Sequence, residues 1–298
     1  MELYKKLNNR WHAPKNQDDE GIDIVKIIQL VTNDIEKNGI TAPQLTNGWV
    51  CPTYKKKDKQ EIINYHPITV LNSEYKIITT ALMNKLATVA PTLINKCQAA
   101  FIKGCSILNQ IDLVNRMIDL CEIIDQKGAI IALDQEKAYD RICHDYLWET
   151  MRTMNFPDTI IHTIELLYTN AQSVAIVNGE ISEKYTIRMG IRQGDPLSCL
   201  LFNLAIEPLS AALREHDKLN GLEINILTLT HRVIISLFAD DAVVFVSKDD
   251  DLNDLHNVLD VWCSASGVKN NKTIVIPVGC TEYRKSIYEN KPKHRTHH

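Results

Sequence analysis

The chain has 298 residues, with 33 Lys and Arg against 37 Asp and Glu and a formal net charge of −4 at pH 7. That length suits one large domain or two modest ones with a sizeable core, and 45% hydrophobic with 23% charged residues excludes the disordered, collagenous and disulfide-scaffold classes. No apolar run approaches the roughly 20 residues that cross a bilayer, and Met1-Glu2-Leu3-Tyr4-Lys5-Lys6 lacks an apolar region after its charges, so neither membrane insertion nor secretion is expected.

The eight cysteines (Cys51, Cys97, Cys105, Cys121, Cys143, Cys199, Cys263, Cys280) form no C-x-x-C pair, which argues against a zinc site and a disulfide framework and predicts reduced, mostly buried thiols. Charge is unevenly spread. Residues 46–105 carry eight lysines and three acids, a balance of +5, whereas residues 106–298 carry 19 basic and 27 acidic residues, a balance of −8. One end suits a polyanion and the other suits cations, or both are simply solvated surfaces.

Residues 1–46 are an N-terminal extension with weak helical periodicity (Ile22, Val25, Ile28, Ile35) followed by a loop from Gly39 to Gly48. Residues 49–54 predict a strand entering the lysine turn 55–59, and 67–71 its returning partner. Ser73 is expected to cap a helix with Ile78, Leu82, Leu86 and Val89 at helical spacing. Ser106 is expected to cap a second, with Ile107, Ile111, Val114, Ile118 and Cys121 as its core stripe and Gly128 as its stop.

The run 129–133 predicts a buried strand delivering Asp134 at its end, before helices at about 144–155 and 158–170. Residues 172–177 and 185–189 flank Asn178-Gly179 as possible strands, the second starting too late for a two-residue hairpin. Pro196 marks a helix start, with the helix running to about Pro208 or, kinked there, to Arg214. Residues 233–238 and 242–246 predict two strands joined by Ala239-Asp240-Asp241. A helix around 251–265 ends at Gly267, and 273–277 make a last strand.

Asp240-Asp241 places two carboxylates between apolar strands, close to a low-dielectric core where repulsion and desolvation call for a cation; the bland alternative is an exposed turn with solvated acids. If the Asp134 strand lies beside that hairpin, three carboxylates converge into an oxygen-rich site suited to Mg²⁺, and two hard cations roughly 3.5–4 Å apart support an in-line phosphoryl displacement.

Four segments carry a family resemblance. Residues 132–140 (Ala-Leu-Asp-Gln-Glu-Lys-Ala-Tyr-Asp), 192–198 (Arg-Gln-Gly-Asp-Pro-Leu-Ser), 238–241 (Phe-Ala-Asp-Asp) and 266–273 (Ser-Gly-Val-Lys-Asn-Asn-Lys-Thr) stand in the order of motifs A, B, C and D of the reverse transcriptases. The chain resembles those of non-LTR (LINE-like) retrotransposons, with a fungal flavour, and the likeness spans about residues 47–280, including 54–58 and 64–68. It implies an α+β right-hand polymerase fold, with fingers at 47–105, a ferredoxin-like palm at 106–280 and a polar tail at 281–298 that leaves no room for a thumb, endonuclease or ribonuclease H domain.

The resemblance also implies roles. Asp134, Asp240 and Asp241 would bind two Mg²⁺ ions, with Mn²⁺ equally compatible. Tyr139 would sit under the sugar and exclude a 2′-hydroxyl, unless it is an ordinary packed aromatic. Gln193 and Gly194 would contact the incoming nucleotide and the template base, the glycine for close backbone approach, unless Gly194-Asp195-Pro196 is only a helix-start turn. Lys272 would stand near the departing pyrophosphate or else be solvated, and one of Lys55, Lys56 and Lys57 would reach the triphosphate.

Several positions depart from the family. His66 replaces the arginine of Asn-Tyr-Arg-Pro and cannot form a bidentate fork; Cys105 stands where arginine is common, and Ala100 where glycine is usual. The leading expectation is an RNA-directed DNA polymerase adding dNTPs to a DNA primer on an RNA template, intracellular, and nuclear if it acts on a chromosomal target. The alternative is a truncated, partly degenerate remnant that binds nucleic acid without turnover. A nucleotide cyclase on the same palm is disfavoured by the finger motifs and Gln193-Gly194.

Overall fold

The computed structural model describes residues 24–39, 44–226 and 229–289. Ile22 and residues 290–298 lie outside them. The chain forms two compact units: one takes the described residues up to Thr88 with Trp148–Ser198, the other Val89–Leu147 with the described residues from Cys199 onward. None of the described helices is long and apolar enough to cross a membrane.

In the first unit, helix α1 (Ile24–Asn38) packs on α6 (Asp158–Tyr168). Strands β1 (Gly48–Tyr54) and β2 (Tyr65–Leu71) form the antiparallel pair expected around the lysine turn, Gly48 facing Leu71 and Tyr54 facing Tyr65. Strand β4 (Gln172–Val177) pairs parallel with β1. The Asn178-Gly179 turn does close a two-residue hairpin, because strand β5 (Glu180–Ile181) starts immediately after it; both turn residues have positive φ, 53° and 88°, as a type I′ turn requires. The later run is strand β6 (Tyr185–Thr186), which pairs with the start of β4.

Helix α2 runs Ser73–Leu93 and buries Ile78, Leu82 and Leu86, whereas Val89 is exposed. Its first turn is closed by Lys76 N–H donating to the Asn72 carbonyl (3.0 Å), so Asn72 holds the cap position and Ser73 is the first helical residue. Residues 85–89 lead into the second unit, where Ser106 caps α3 (Ile107–Ile123) as expected, its hydroxyl accepting from Leu108 N. The core face of α3 differs from the expected stripe: Ile107 and Ile111 are exposed, and burial is centred on Met117 and Cys121. Gly128 is not a helix stop. It opens strand β3 (Gly128–Gln135), where a Cβ would stand 2.3 Å from the Val246 carbonyl.

After β3 come α4 (Ala138–Arg141), α5 (His144–Thr153), α6, and α7 (Ser198–Arg214), which runs through Pro208. Val233 belongs to an unforeseen hairpin, strands β7 (Leu222–Ile226) and β8 (Leu229–Val233), so β9 is shorter than expected (Ile235–Phe238) before β10 (Asp241–Ser247). Helix α8 (Leu252–Ser266) is capped by Asp251 and ends on Gly267 at φ 80°, followed by β11 (Asn270–Val278) and α9 (Thr281–Glu289).

The second unit's sheet is antiparallel with order β11-β3-β10-β9. In chain order its strands are joined as β3-helices-β9-β10-α8-β11, a β-α-β-β-α-β path with the outer strands exchanged, which is the ferredoxin-like topology. On one face, Ile130 and Phe245 pack with Met117, Cys121, Leu222 and Val278. Elsewhere in this unit the Trp262 indole N–H donates to the Tyr146 hydroxyl (3.1 Å) and the Ala205 carbonyl (3.3 Å), tying α8 to α5 and α7. All eight cysteines are free; only Cys121 is buried, Cys105 is exposed and the rest are half-buried, because most sit at element edges.

Candidate active site

Strand alternation decides where the carboxylates point. Ala242 faces Leu133 and Val243 faces Ala132, so Asp241 and Asp134, one step further along, stand on neighbouring strands and on the sheet face that carries Ile130 and Phe245. Both are exposed. Asp240 is half-buried in the turn between them and β9: Phe238 pairs with Asp241, leaving Ala239-Asp240 as a two-residue loop. The strands thus put the carboxylates at an open sheet end, where water reaches them, rather than against the core.

Ala239 adopts φ 56°, a conformation a non-glycine residue holds only when its surroundings fix it. Gln98 does the fixing. Its side chain is 1% exposed; Oε1 accepts from Ala239 N (3.1 Å) and Ala100 N (3.0 Å), and Nε2 donates to the Ala239 carbonyl (3.3 Å). Residues 97–99 also pair along β9, Leu237 N–H donating to Cys97 O (2.7 Å) and Ala99 N–H to Leu237 O (3.0 Å). Sequence reading missed Gln98, since a glutamine in an apolar run shows its importance only once its partner, 141 residues away, is known.

Tyr139 follows from β3 through Lys137, which is left-handed at φ 48°. Its ring stacks on Phe202, centroids 4.4 Å apart and planes 12° from parallel. Burial raises the Tyr139 phenol far above its ordinary pKa, and Cys199 and the Asp240 carboxylate raise it further, so it stays a neutral donor beside Asp240. Lys272 is the register partner of Asp134 on β11.

The other expected residues lie in the first unit. Gln193 accepts at its carbonyl from Thr69 N (2.7 Å), and Gly194 sits at φ 108° with a virtual Cβ only 2.4 Å from the Thr69 carbonyl. The close approach that excludes a side chain at Gly194 is therefore to strand β2. Asp195 is buried: its carboxylate accepts from the Tyr75 hydroxyl (2.9 Å) and Leu197 N (3.1 Å), and desolvation raises its pKa. Arg192, also buried, lies over the Tyr75 and Tyr168 rings at 5.4 and 5.9 Å, and none of its guanidinium nitrogens has a hydrogen-bond partner among the described residues.

Lys55, Lys56 and Lys57 are exposed on a turn held by its tyrosines. Tyr54 and Tyr65 meet edge to face at 5.6 Å; Tyr54 OH donates to the Lys57 carbonyl (2.8 Å) and Tyr65 OH to that of Lys59 (2.9 Å). His66, half-buried, faces Thr53 across β1 and β2. Cys105 is exposed, and Ala100 is buried, its carbonyl accepting from Asn203 Nδ2 (2.8 Å).

Among the described residues no three His, Cys, Asp or Glu side chains form a closed metal cluster. The carboxylates of Asp134 and Asp241 on adjacent strands, with Asp240 beside them, nevertheless fit a hard divalent ion, because Mg²⁺ takes one or two carboxylates and completes its shell with water and substrate phosphate.

A four-stranded ferredoxin-like sheet with carboxylates at the β3 and β10 ends has the topology of a polymerase palm. More narrowly, the chain belongs to the reverse transcriptase (RNA-dependent DNA polymerase) family, whose model matches residues 54–275. It is 30% identical over 217 residues to the transposon TX1 uncharacterized 149 kDa protein of Xenopus laevis, covering 73% of this chain and 16% of that protein. It is 29% identical over 145 residues to a retrovirus-related Pol polyprotein from a type-1 retrotransposable element R2 of Popillia japonica, covering 49% and 23%. The chain thus spans less than a quarter of the length of these relatives, and it is a non-LTR reverse transcriptase domain of retrotransposon origin.

Solved telomerase structures from Candida tropicalis share the fold. The apo form truncated from its C-terminal domain gives a TM-score of 0.53 at 14% identity, covering 85% of this chain and 55% of that one. The complex with the TWJ fragment of telomeric RNA gives 0.54 at 13% identity, covering 87% and 47%. Membership of the family implies dependence on a divalent metal.

Proposed function

We propose that this chain catalyses RNA-templated addition of dNTPs to a primer 3′-hydroxyl, displacing pyrophosphate. The observation that carries this reading is the register of β3 and β10, which sets Asp134 and Asp241 side by side on one face, with Asp240 in the adjoining turn and next to Tyr139. These three carboxylates would hold two Mg²⁺ ions. Such ions make the attacking hydroxyl more nucleophilic and offset the charge that develops on the leaving oxygens.

The chain's own residues supply the rest. Tyr139, fixed by its stack on Phe202, would stand under the sugar and reject a 2′-hydroxyl. Gln193 and Gly194 would meet the incoming nucleotide and template base, held by the β2 backbone on one side and by Arg192 and Asp195 on the other. Lys55 or Lys56 would neutralise the triphosphate, and Lys272 would place a cation near the departing pyrophosphate. Residues 47–105 would act as fingers and 106–280 as palm, with a DNA primer and RNA template as partners, in the nucleus where the target is chromosomal.

His66 favours a second reading, a remnant that binds nucleic acid without turnover, because an imidazole lacks the fork of a guanidinium and forms no bidentate phosphate contact. Primer extension on an RNA template separates the two. Incorporation by the native chain, abolished in Asp240→Asn, supports the polymerase; binding of primer-template by folded protein with no incorporation supports the remnant. In the active case His66→Arg lowers the dNTP KM by about tenfold, the worth of one charge-assisted contact; an unchanged KM shows that His66 does not limit nucleotide binding.

A further inference from the structure

Within the first unit, the turn that carries Gln193 and Gly194 is fastened at both ends by one side chain. Asp195 N–H donates to the Arg192 carbonyl (3.2 Å), which closes a four-residue turn with Gln193 and Gly194 as its two central residues. Its ends are buried ionisable side chains, Arg192 at 3% and Asp195 at 4% exposure, whereas Gly194 is exposed and Gln193 half-buried. The chain thus anchors the turn inside the unit and leaves its middle facing outward. Arginine and aspartate are rarely buried to this degree unless a neighbour holds them.

Tyr75, fully buried on α2, is that neighbour for both. Its hydroxyl donates to Asp195 Oδ2 (2.9 Å), and its ring face lies under Arg192, whose guanidinium carbon is 5.4 Å from the ring centroid. Arg192 Nε, Nη1 and Nη2 have no hydrogen-bond partner among the described residues, so the faces of Tyr75 and, at 5.9 Å, Tyr168 are what the guanidinium rests on. The backbone completes the hold: Thr69 N–H donates to the Gln193 carbonyl (2.7 Å) and the Ser198 hydroxyl to the Arg192 carbonyl (2.8 Å). A fully buried phenol cannot meet a substrate itself. Any effect that Tyr75 has on a bound nucleotide passes through the turn.

We propose that Tyr75 is a positioning residue for the incoming nucleotide, holding both ends of the 192–195 turn so that Gln193 and Gly194 present a fixed face to it. This rests on the polymerase reading above, in which those two residues meet the nucleotide and the template base. Removing the hydroxyl leaves the buried Asp195 carboxylate short of one donor, and removing the Arg192 charge empties the ring face, so either change loosens the middle of the turn while Asp134, Asp240 and Asp241 stay in place.

The test reads nucleotide binding rather than turnover. The full 298-residue chain is loaded with an RNA template and a primer ending in a 2′,3′-dideoxynucleotide, and with Mg²⁺ present the affinity for the next matched dNTP is titrated, beside the affinity for the primer-template itself. The native chain is compared with Tyr75→Phe, which keeps the ring and removes the hydroxyl, and with Arg192→Met, which keeps the length and removes the charge; circular dichroism checks the folding of each. Weaker dNTP binding by both variants, about tenfold for Tyr75→Phe as one hydrogen bond to a charged group would give, with primer-template affinity within about twofold of native, is expected. A purely structural role lowers the melting temperature and leaves dNTP affinity alone, so native dNTP affinity in either folded variant overturns the proposal. An equal loss of primer-template affinity also overturns it, since that marks general loosening. A native chain that holds primer-template but no matched dNTP removes the polymerase reading and this inference together, whereas a native chain that binds dNTP no better than its folded variants removes this inference alone.

Discussion

Asp195 and Gly194 carry different constraints although they adjoin. Burial raises the Asp195 carboxyl, so the folded chain takes up its proton more readily than the unfolded one. Linkage then fixes the sign: between the unfolded pKa of about 4 and the higher folded value, the unfolded state binds fewer protons, and this group makes stability fall as pH rises. Urea denaturation of Asp195→Asn and the native chain should show the difference moving in the variant's favour from pH 4 to pH 7; a constant difference contradicts this. Gly194 answers to geometry instead. With φ 108° and the Thr69 carbonyl 2.4 Å from a virtual Cβ, Gly194→Ala should lose about 2–4 kcal/mol in the same assay, and an unchanged midpoint would mean that the loop moves freely. The sequence singled out this glycine for a close approach. That the neighbour was a backbone carbonyl of β2 was not readable, because it depends on a contact 125 residues away.

At the level of elements, local signals were the legible ones. Ser106 and Gly267 bracket helices as their residue types demand, one through a hydroxyl accepting from Leu108 N and the other through a left-handed backbone. The β7 to β8 hairpin was missed because Val233-Ile234-Ile235 reads as one apolar run, and only tertiary pairing divides it. The core stripe of α3 was misplaced for a related reason: Ile107 and Ile111 keep helical spacing but have no buried partner, whereas Met117 and Cys121 face Ile130 and Phe245. The β9 to β10 hairpin is held from outside by Gln98. Gln98→Ala removes three hydrogen bonds and leaves the Ala239 and Ala100 amides unpaired, so it should cost about 2–4 kcal/mol and reduce nucleotide incorporation beyond what its lower melting temperature explains. A variant with lowered stability but native incorporation would limit Gln98 to a structural role.

For the whole molecule, four short motifs spread over 142 residues, from Ala132 to Thr273, announced the family, because each stands where the fold needs a special side chain rather than a merely apolar one. The three aspartates were readable as strand-end carboxylates. Their side-by-side placement was not, since it follows from the register that sets Ala242 against Leu133 and from the return of β10 along β3. Gln98 escaped notice because it acts on backbone amides and stands in no motif, whereas Arg192, Tyr54 and Tyr65 lie within the quoted motifs and only their contacts with aromatic rings were not readable. The reading proposed above requires that Asp134, on strand β3, and Asp240, in the turn that joins β9 to β10, serve a single metal-dependent centre. The most direct measurement is single-nucleotide incorporation on an RNA template as Mg²⁺ is titrated, for the native chain, Asp134→Asn and Asp240→Asn. Mg²⁺-dependent incorporation by the native chain and a loss of at least about a hundredfold in each folded variant are expected. Native incorporation by either variant would contradict that reading.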